Sequence, residues 1–216
     1  MYINQFDKGE IKMSLIPDFD QKFNEMKKEC SKKKLVWAQM CLELRPVIVT
    51  SLQNAINRKQ KTFRYLEIGI GHAATFNFIG RLAQRFFDNV YGVSVECDPK
   101  RERHLLALEP KFNYKFIVGS SLDQKIINEV EQTFNSEIDL LHVDGGHSKK
   151  CCTADIENYR GLIIPGGIMA VHDWFGLVGN FEICKKLTRE PSFQSFHDPK
   201  DRLGIGMIVQ PENGNV

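Results

Sequence analysis

Arg64-Tyr65-Leu66-Glu67-Ile68-Gly69-Ile70-Gly71-His72-Ala73-Ala74 is the segment that decides the fold of this chain. An apolar strand runs here into a glycine turn, with a carboxylate just before the turn. Gly69 and Gly71 allow positive φ and a close approach to a ligand, and the helix that follows offers free N–H groups at its start. Glu67 repels a pyrophosphate but attracts a cationic group, directly or through water. The segment therefore predicts a site for a nucleoside that carries a cationic or amino-acid tail.

The glycine spacing alone leaves a second class of protein open. Gly69-x-Gly71-x-x-Ala74 also satisfies the loose fingerprint of dinucleotide-binding proteins. A nicotinamide-dependent oxidoreductase is therefore an alternative, although hydride transfer explains Glu67 poorly.

Composition predicts one globular protein. The chain has 216 residues, of which 42% are hydrophobic and 26% charged, enough to bury one substantial core. A net charge of +2, with acids and bases interleaved, argues against nucleic acid as a partner. No apolar run approaches the roughly 20 residues of a membrane span, and the N-terminus does not have the pattern of a secretory signal. We expect a soluble, cytoplasmic protein with no membrane partner.

The six cysteines have no regular spacing and form no CxxC pair, as is typical of a reduced protein. Cys151 and Cys152 lie close in sequence to His142, Asp144 and His147, so a zinc site is one interpretation. Two adjacent cysteines rarely point at one metal. The favoured interpretation is a pair of helix residues, one of which faces the core.

The chain divides into two regions. Residues 17–61 have a helical pattern, and Pro46 is suited to the first turn of one helix. We interpret residues 1–61 as a helical extension of the same domain, serving as a lid or an oligomer contact. In residues 62–216 short apolar strands alternate with helices, which predicts an α/β fold with a doubly wound, mostly parallel sheet.

Seven strands are predicted, and the last two form an edge hairpin marked by Gly204 and Gly206. In such a sheet the ligand lies beyond the carboxyl ends of the strands, so the loops at those ends should carry the chemistry. The predicted strands are residues 63–68, 89–95, 114–118, 138–143 and 168–172, with the hairpin near 193–198 and 203–209.

Two of these loops are suited to a nucleoside. Glu96 lies 25 residues after Gly71, near the spacing at which a carboxylate accepts both hydrogen bonds of a ribose diol. Its alternative role as a helix cap suits Asp98 better. Ser121 and Leu122 follow the third strand and could flank an adenine edge, or form an ordinary turn.

Two further strand ends carry acids and an imidazole. Asp144 stands at the tip of the fourth strand with His147 three residues on, and Asp173 ends the fifth strand. Carboxylates and an imidazole so placed can bind a divalent cation and remove a proton from a hydroxyl. The alternative is that the two aspartates cap helices.

Together these motifs resemble a class I S-adenosylmethionine-dependent methyltransferase over about residues 62–210. Within that class the chain is most similar to the small-molecule O-methyltransferases that include macrocin-type sugar methyltransferases and cephalosporin-hydroxylase-like proteins, with catechol O-methyltransferase more distant. The resemblance implies a Rossmann-like seven-stranded sheet whose last strand is antiparallel. It rests on Glu67-x-Gly69-x-Gly71, on Glu96 before Asp98-Pro99, on Val143-Asp144-Gly145-Gly146-His147-Ser148, and on Pro165-Gly166-Gly167 before His172-Asp173-Trp174.

The resemblance also implies a site. It makes His147 the general base and gives Asp144 a catalytic role, and the predicted metal ligands are Asp144, His172 and Asp173. Related enzymes have a carboxylate or an asparagine beside Asp173, where this chain has His172 and Trp174. Magnesium prefers oxygen, whereas manganese or zinc accepts an imidazole more readily. The residues implied for the S-adenosylmethionine site are Glu67, Gly69, Gly71, Glu96, Ser121, Leu122 and Asp144.

The predicted reaction is direct displacement of the methyl group by a hydroxyl oxygen of a small molecule or sugar. A non-catalytic ligand-binding or assembly protein is a further alternative, supported by His172 and Trp174. The sequence leaves homo-oligomer formation open.

Overall fold

The computed structural model describes residues 15–35, 43–197 and 203–211. A seven-stranded sheet with the order β3-β2-β1-β4-β5-β7-β6 forms its centre. Strand β7 is antiparallel to both of its neighbours, and the other pairs are parallel. The predicted fold class is therefore confirmed. The strands are β1 (Thr62–Ile68), β2 (Asn89–Glu96), β3 (Asn113–Val118), β4 (Ile138–Val143), β5 (Ile163–His172), β6 (Gln194–Phe196) and β7 (Ile205–Val209).

Helices cover both faces of this sheet, and each face has its own apolar core. The side chains of β4 are all buried, as expected for a central strand packed on both sides. The α-helices are α1 (Phe19–Lys32), α2 (Leu44–Asn57), α3 (Ala74–Ala83), α4 (Glu102–Ala107), α5 (Gln124–Phe134), α6 (Lys149–Tyr159) and α7 (Glu182–Leu187).

The N-terminal helices pack into the same core as the sheet. Helix α2 contacts β4 and β5, and α1 contacts α3. The ring of Phe78 on α3 meets the rings of Phe19 and Phe23 edge-on at 5.2 and 5.7 Å. The part of the predicted helical pattern that falls on residues 36–42 lies outside the described residues. The boundary at residue 61 stays a prediction.

The fifth strand begins earlier than the sequence predicts. Strand β5 starts at Ile163, and its register against β4 shifts between Ile138 and Leu140. Residues 164–167, which the sequence prediction leaves outside the fifth strand, form this irregularity within it. Regular pairing resumes at Ile168 and carries the strand to His172.

The C-terminal strands form the predicted hairpin pairing, with β6 at the edge and β7 inside the sheet. Residues 198–202 lie outside the described part of the chain. Gly206 is needed for packing, since a Cβ there would lie 2.3 Å from the Trp174 ring. In the described residues no helix combines the length and the apolar character that crossing a membrane requires.

The strand order reverses between β1 and β4, so the loops after these two strands leave toward opposite faces. Such a reversal opens a crevice at the carboxyl edge of a parallel sheet. The fold therefore directs the ends of β1, β2, β3 and β4 to one place.

Candidate active site

A cavity of about 590 Å³ opens at this crevice. Its size falls within the range of small-molecule and cofactor sites. The segments that line it come from the loops after the first four strands: residues 68–72, 95–98, 119–122 and 144–147, together with Arg101 and Cys151. Sequence-predicted cofactor residues Gly69, Gly71, Glu96, Ser121, Leu122 and Asp144 all lie on this wall.

The two glycines of the turn serve different purposes. Gly69 has φ +84°, and a Cβ there would lie 2.3 Å from the carbonyl oxygen of Asp144. Gly71 has φ +52°, and a Cβ there would meet no atom within 4 Å. Gly69 thus lets the turn approach the loop after β4, while Gly71 faces open space at the cavity.

Glu96 connects two loops of the cavity wall. Its Oε2 accepts a hydrogen bond from the backbone N–H of Ile70 at 3.2 Å, and its Oε1 accepts one from Asp98 N at 3.0 Å. Asp98 caps the following turn by accepting from Lys100 N, as the sequence predicts. The Glu96 carboxylate is therefore fixed in place at the cavity, with lone pairs left for a ligand diol.

The wall after β3 is held from behind. The hydroxyl of Tyr159 on α6 donates to the carbonyl oxygen of Ser121 at 2.9 Å. Ser120 Oγ accepts from the backbone N–H of Leu122 at 3.2 Å, a local bond typical of such turns. These bonds fix the small polar groups and the leucine that face the cavity.

Glu67 lies deeper than the sequence suggests. Its side chain is 1% exposed and is not part of the cavity wall. Its register partner on β4 is His142, whose Nδ1 lies 3.3 Å from Glu67 Oε1. Burial raises the pKa of Glu67, and the hydrogen bond and charge of His142 oppose that rise. Its orientation leaves Glu67 beneath the wall, so a contact with a ligand in the cavity would have to be indirect.

Four predicted functional side chains converge at the ends of β4 and β5. His172 Nδ1 lies 3.2 Å from Asp144 Oδ1 and 3.0 Å from Asp173 Oδ1. His147 Nε2 contacts Asp173 Oδ2. Asp144 and His147 also line the cavity, so this cluster adjoins it. Asp173 has a left-handed backbone with φ +55°, which is the conformation at which the strand turns into the next segment.

The two ends of this cluster differ in exposure. The Asp173 side chain is 6% exposed, whereas that of His147 is 49% exposed. Burial raises the pKa of Asp173, but the hydrogen bonds and charges of His172 and His147 outweigh it and leave the pKa below its usual value. Asp173 is therefore an ionised carboxylate that supports an accessible imidazole.

The donor set at this cluster is suited to a divalent cation. One ligand atom each from Asp144, His147 and Asp173 lies within 4.8 Å of the others. The predicted metal ligands Asp144, His172 and Asp173 include a different imidazole, that of His172, whose Nδ1 lies 3.2 and 3.0 Å from the two carboxylates. Glu67, His142 and Asp144 form a second such group in the described residues. No cysteine belongs to either group, and Cys152 is buried on α6 as the favoured interpretation expects.

Several residues near the cavity were not among the site residues that the sequence predicts. His142 is hidden inside a strand that is buried on both faces, and Asp155 is hidden inside helix α6. At the rim, the His72 and His104 rings stack at 4.7 Å, and Arg101 Nη1 lies 3.4 Å from His72 Nε2. His72 lies within the segment of residues 64–74 that predicts the nucleoside site, and His142 lies two residues before Asp144.

A family model described as a methyltransferase domain matches residues 66–174, just over half of the chain. The chain therefore belongs to this methyltransferase family. The class that its motifs predict, a class I S-adenosylmethionine-dependent methyltransferase, is confirmed, and the nicotinamide alternative is not supported. No curated protein matches the chain by sequence.

Solved structures share the fold at low sequence identity. The MycE methyltransferase of the mycinamycin biosynthetic pathway, in complex with Mg, SAH and mycinamycin VI, has a TM-score of 0.56 at 14% identity, over 86% of this chain and 53% of that one. This chain thus spans about half the length of MycE. A caffeoyl-CoA O-methyltransferase-like structure from Staphylococcus aureus has a TM-score of 0.60 at 13% identity. The match covers 93% of this chain and 100% of that one. An O-methyltransferase from Bacillus cereus in complex with SAH has a TM-score of 0.58 at 14% identity. The match covers 91% of this chain and 96% of that one.

Proposed function

We propose that this protein transfers the methyl group of S-adenosylmethionine to a hydroxyl of a small molecule or sugar, with His147 as general base. The observation that carries the proposal is the position of His147. Its half-exposed imidazole lies on the cavity wall and contacts the ionised, buried Asp173. A proton acceptor therefore adjoins a cavity built for a nucleoside.

The cofactor supplies a methyl group on a positively charged sulfur, which is already a good leaving group. The residues of the cavity fit this compound. Glu96 offers carboxylate lone pairs to a ribose, and the loop with Ser121 and Leu122 offers polar and apolar surface to a base. Gly71 leaves open space at the turn where the tail would pass. Glu67 lies beneath the wall beside His142, with its pKa raised by burial, so it would act on the cofactor tail only indirectly.

The catalytic chemistry of His147 follows from its partner. An ionised carboxylate only accepts hydrogen bonds, so the contact assigns a proton to Nε2 and leaves Nδ1 to accept one from a substrate hydroxyl. Asp173 orients the ring and stabilises the imidazolium that forms. The same logic of a carboxylate supporting a histidine base operates in the serine hydrolases.

A divalent cation would be held by Asp144 and Asp173, and it would lower the pKa of a bound substrate hydroxyl. A nitrogen that binds a cation cannot accept a proton, so we assign His147 to proton transfer rather than to the cation. His172 lies between the two carboxylates, so its proton and the cation compete for the same oxygens. The MycE complex contains Mg, which supports the proposal that this protein binds a cation.

The acceptor class rests on the surroundings of the cluster. Phe175 and Leu177, which follow Asp173 in the chain, are each 49% exposed and offer apolar surface. Trp174 and Phe181 belong instead to the core. A hydroxylated acceptor with an apolar portion, or a sugar diol that could bridge the carboxylates, fits this arrangement. The presence of mycinamycin VI in the MycE complex supports a small-molecule acceptor.

Calorimetry with S-adenosylhomocysteine and NAD tests the cofactor. We expect binding of the first compound only, and binding of NAD alone would contradict the proposal. Transfer of a labelled methyl group to a panel of sugars and phenols, with and without Mn²⁺, then tests the reaction. A protein that binds S-adenosylhomocysteine but transfers no methyl group to any hydroxylated acceptor would instead support the non-catalytic alternative.

A further inference from the structure

Glu67 and His142 face each other inside the sheet, beneath the cavity wall. They are register partners on β1 and β4, so their side chains leave the same face of the sheet. Glu67 Oε1 lies 3.3 Å from His142 Nδ1, and each residue is 1% exposed. Neither residue lines the cavity, and neither takes part in the proposed proton transfer. An acid and an imidazole are thus buried together without a role in the chemistry described above.

Each of these two side chains has an atom without a hydrogen-bond partner. Within the described residues, Glu67 Oε2 and His142 Nε2 are buried and make no hydrogen bond. No placement of protons changes this result, because a carboxyl oxygen or a ring nitrogen is a donor when protonated and an acceptor when not. Buried polar atoms are nearly always paired. Two unpaired atoms in one contact therefore indicate a site for a further ligand.

Asp144 completes a group of three side chains that bind metals. One ligand atom each from Glu67, His142 and Asp144 lies within 4.8 Å of the other two. A zinc ion with bonds of about 2.0–2.2 Å holds its ligands about 3–4 Å apart, so these groups need to move by only about an ångström to bind one ion. The two unpaired atoms thus belong to side chains that already have nearly the spacing of a metal site.

The donor set favours zinc over magnesium. One imidazole and two carboxylates give three protein ligands, the number that leaves an open position on a tetrahedral zinc ion. Imidazole suits zinc and cobalt, whereas magnesium prefers oxygen ligands and keeps several waters. Two ionised carboxylates also balance the charge of a divalent ion, which is necessary where the ligands are buried.

This group is different from the cation site at the cavity rim. Asp144 belongs to both groups, but the rim group has His147 and Asp173 where the buried one has Glu67 and His142. A carboxylate has two oxygens, so Asp144 can serve both groups. Its side chain is 28% exposed and lines the cavity, so it connects the buried group to any ligand there.

We propose that Glu67, His142 and Asp144 form a zinc-binding site beneath the cavity, separate from the cation site that Asp144 shares with Asp173. The inference concerns metal binding alone and goes beyond the proposed methyl transfer, on which it does not depend. Its consequence for the cavity is a fixed positive charge beneath the wall, at the place where the apoprotein has a buried carboxyl group.

Calorimetry with Zn²⁺ tests the inference in the Asp173→Asn variant, whose rim site has lost one carboxylate. This variant should still bind one Zn²⁺ per chain. Adding His142→Gln should weaken that binding about 100-fold or more, since even the loss of an outer partner of a metal ligand costs about 10–100-fold. Adding His104→Gln instead removes a buried imidazole outside the group. This matched control should keep the affinity of Asp173→Asn.

Two results of the titration overturn the inference. One is the absence of Zn²⁺ binding by Asp173→Asn in its folded form, which circular dichroism verifies. The other is undiminished binding after His142→Gln is added, because the ion would then be held by other residues, such as His147 or Cys151 at the cavity.

Crystals of the wild type soaked in Zn²⁺ decide the question without any substitution. Diffraction data at the zinc absorption edge should show anomalous density within bonding distance of Glu67 and His142. A water molecule in the same place would give no such density. Density only beside Asp173, or none at all, overturns the inference. Methyl transfer has its own assay, so the failure of either proposal leaves the other standing.

Discussion

At the scale of single residues, Asp173 is the centre of the candidate site. One buried carboxylate faces two imidazoles, His172 through Oδ1 and His147 through Oδ2. Because these neighbours lower its pKa despite burial, it stays charged near neutral pH. The contact with this buried carboxylate holds the half-exposed ring of His147 beside the cavity.

Replacing His147 with alanine should therefore lower kcat about 100-fold or more, in the range of general-base contributions. The affinity for S-adenosylhomocysteine should stay nearly unchanged, because the residues proposed to bind it remain. Labelled methyl transfer and calorimetry measure the two quantities. Lys149→Ala, an exposed neighbour at the start of α6, is the control and should keep full activity. Equal turnover in the two variants would remove His147 from the mechanism.

Asp155 carries a prediction about stability. Its pKa is about 6 in the folded protein against a usual value of 3.8, so the folded state binds its proton more tightly than the unfolded state does. Stability should therefore fall as pH rises through this range, and the loss should be complete above about pH 7. Asp155→Asn removes the buried charge and should raise the melting temperature at pH 8 by a few degrees. This corresponds to a gain of about 1–2 kcal/mol in the free energy of unfolding.

The pH dependence is the diagnostic part of that prediction. The gain of Asp155→Asn should shrink as pH decreases and vanish near pH 4, where the wild-type carboxyl is protonated. Thermal unfolding of both proteins at several pH values measures it. A gain of the same size at pH 4 and pH 8 would show that the buried charge is not the cause.

At the scale of elements, the glycine turn after β1 is docked against the loop after β4. Asp144 N donates to Ile68 O at 2.9 Å, and Gly69 N donates to Val95 O at 2.9 Å. The turn is thereby bonded to both neighbouring strands. The position of Asp144 at the cavity depends on this docking.

Two glycine substitutions distinguish the close packing of the turn against the Asp144 loop from the need for a left-handed backbone. Gly71→Ala should cost about 1–2 kcal/mol, the penalty for a left-handed backbone at a residue with open space around it. Gly69→Ala should cost clearly more, because its methyl group would collide with the Asp144 backbone at 2.3 Å. Denaturant unfolding of the two variants gives the comparison. Similar losses of unfolding free energy in the two variants would mean that the Asp144 loop moves aside without difficulty.

The elements were predictable where the sequence has short apolar runs that end in polar residues. Glu96, Asp144 and Asp173 could be assigned to one rim because each follows such a run. Residues inside the runs could not be assigned: a strand buried on both faces does not show which way Glu67 or His142 points. Asp155 was missed for a related reason, since an aspartate within a helix usually faces solvent.

At the scale of the whole molecule, the reversal of strand order assembles the site from distant parts of the chain. Glu96, Ser121, His147 and Asp173 come from four loops, yet three of them share one cavity wall and the fourth contacts it. The net charge of +2 gives no hint of this, because a total does not show where in the fold the acids lie. Ligands at this edge should therefore stabilise the entire fold, as any compound that binds only the native state does.

This linkage gives a test of the cation site that does not depend on activity. Mn²⁺ at about 100 times its dissociation constant should add about 2.7 kcal/mol to the stability of the wild type and raise its melting temperature by several degrees. The double variant Asp144→Asn, Asp173→Asn should lose this response, because both proposed carboxylate ligands are gone. The control pair Glu137→Gln, Glu157→Gln changes the net charge equally at exposed positions and should keep the response. Mg²⁺ should act more weakly than Mn²⁺, since imidazoles border the site. A response that survives in the Asp144, Asp173 variant would place the cation elsewhere, with Glu67 and His142 the next group to test.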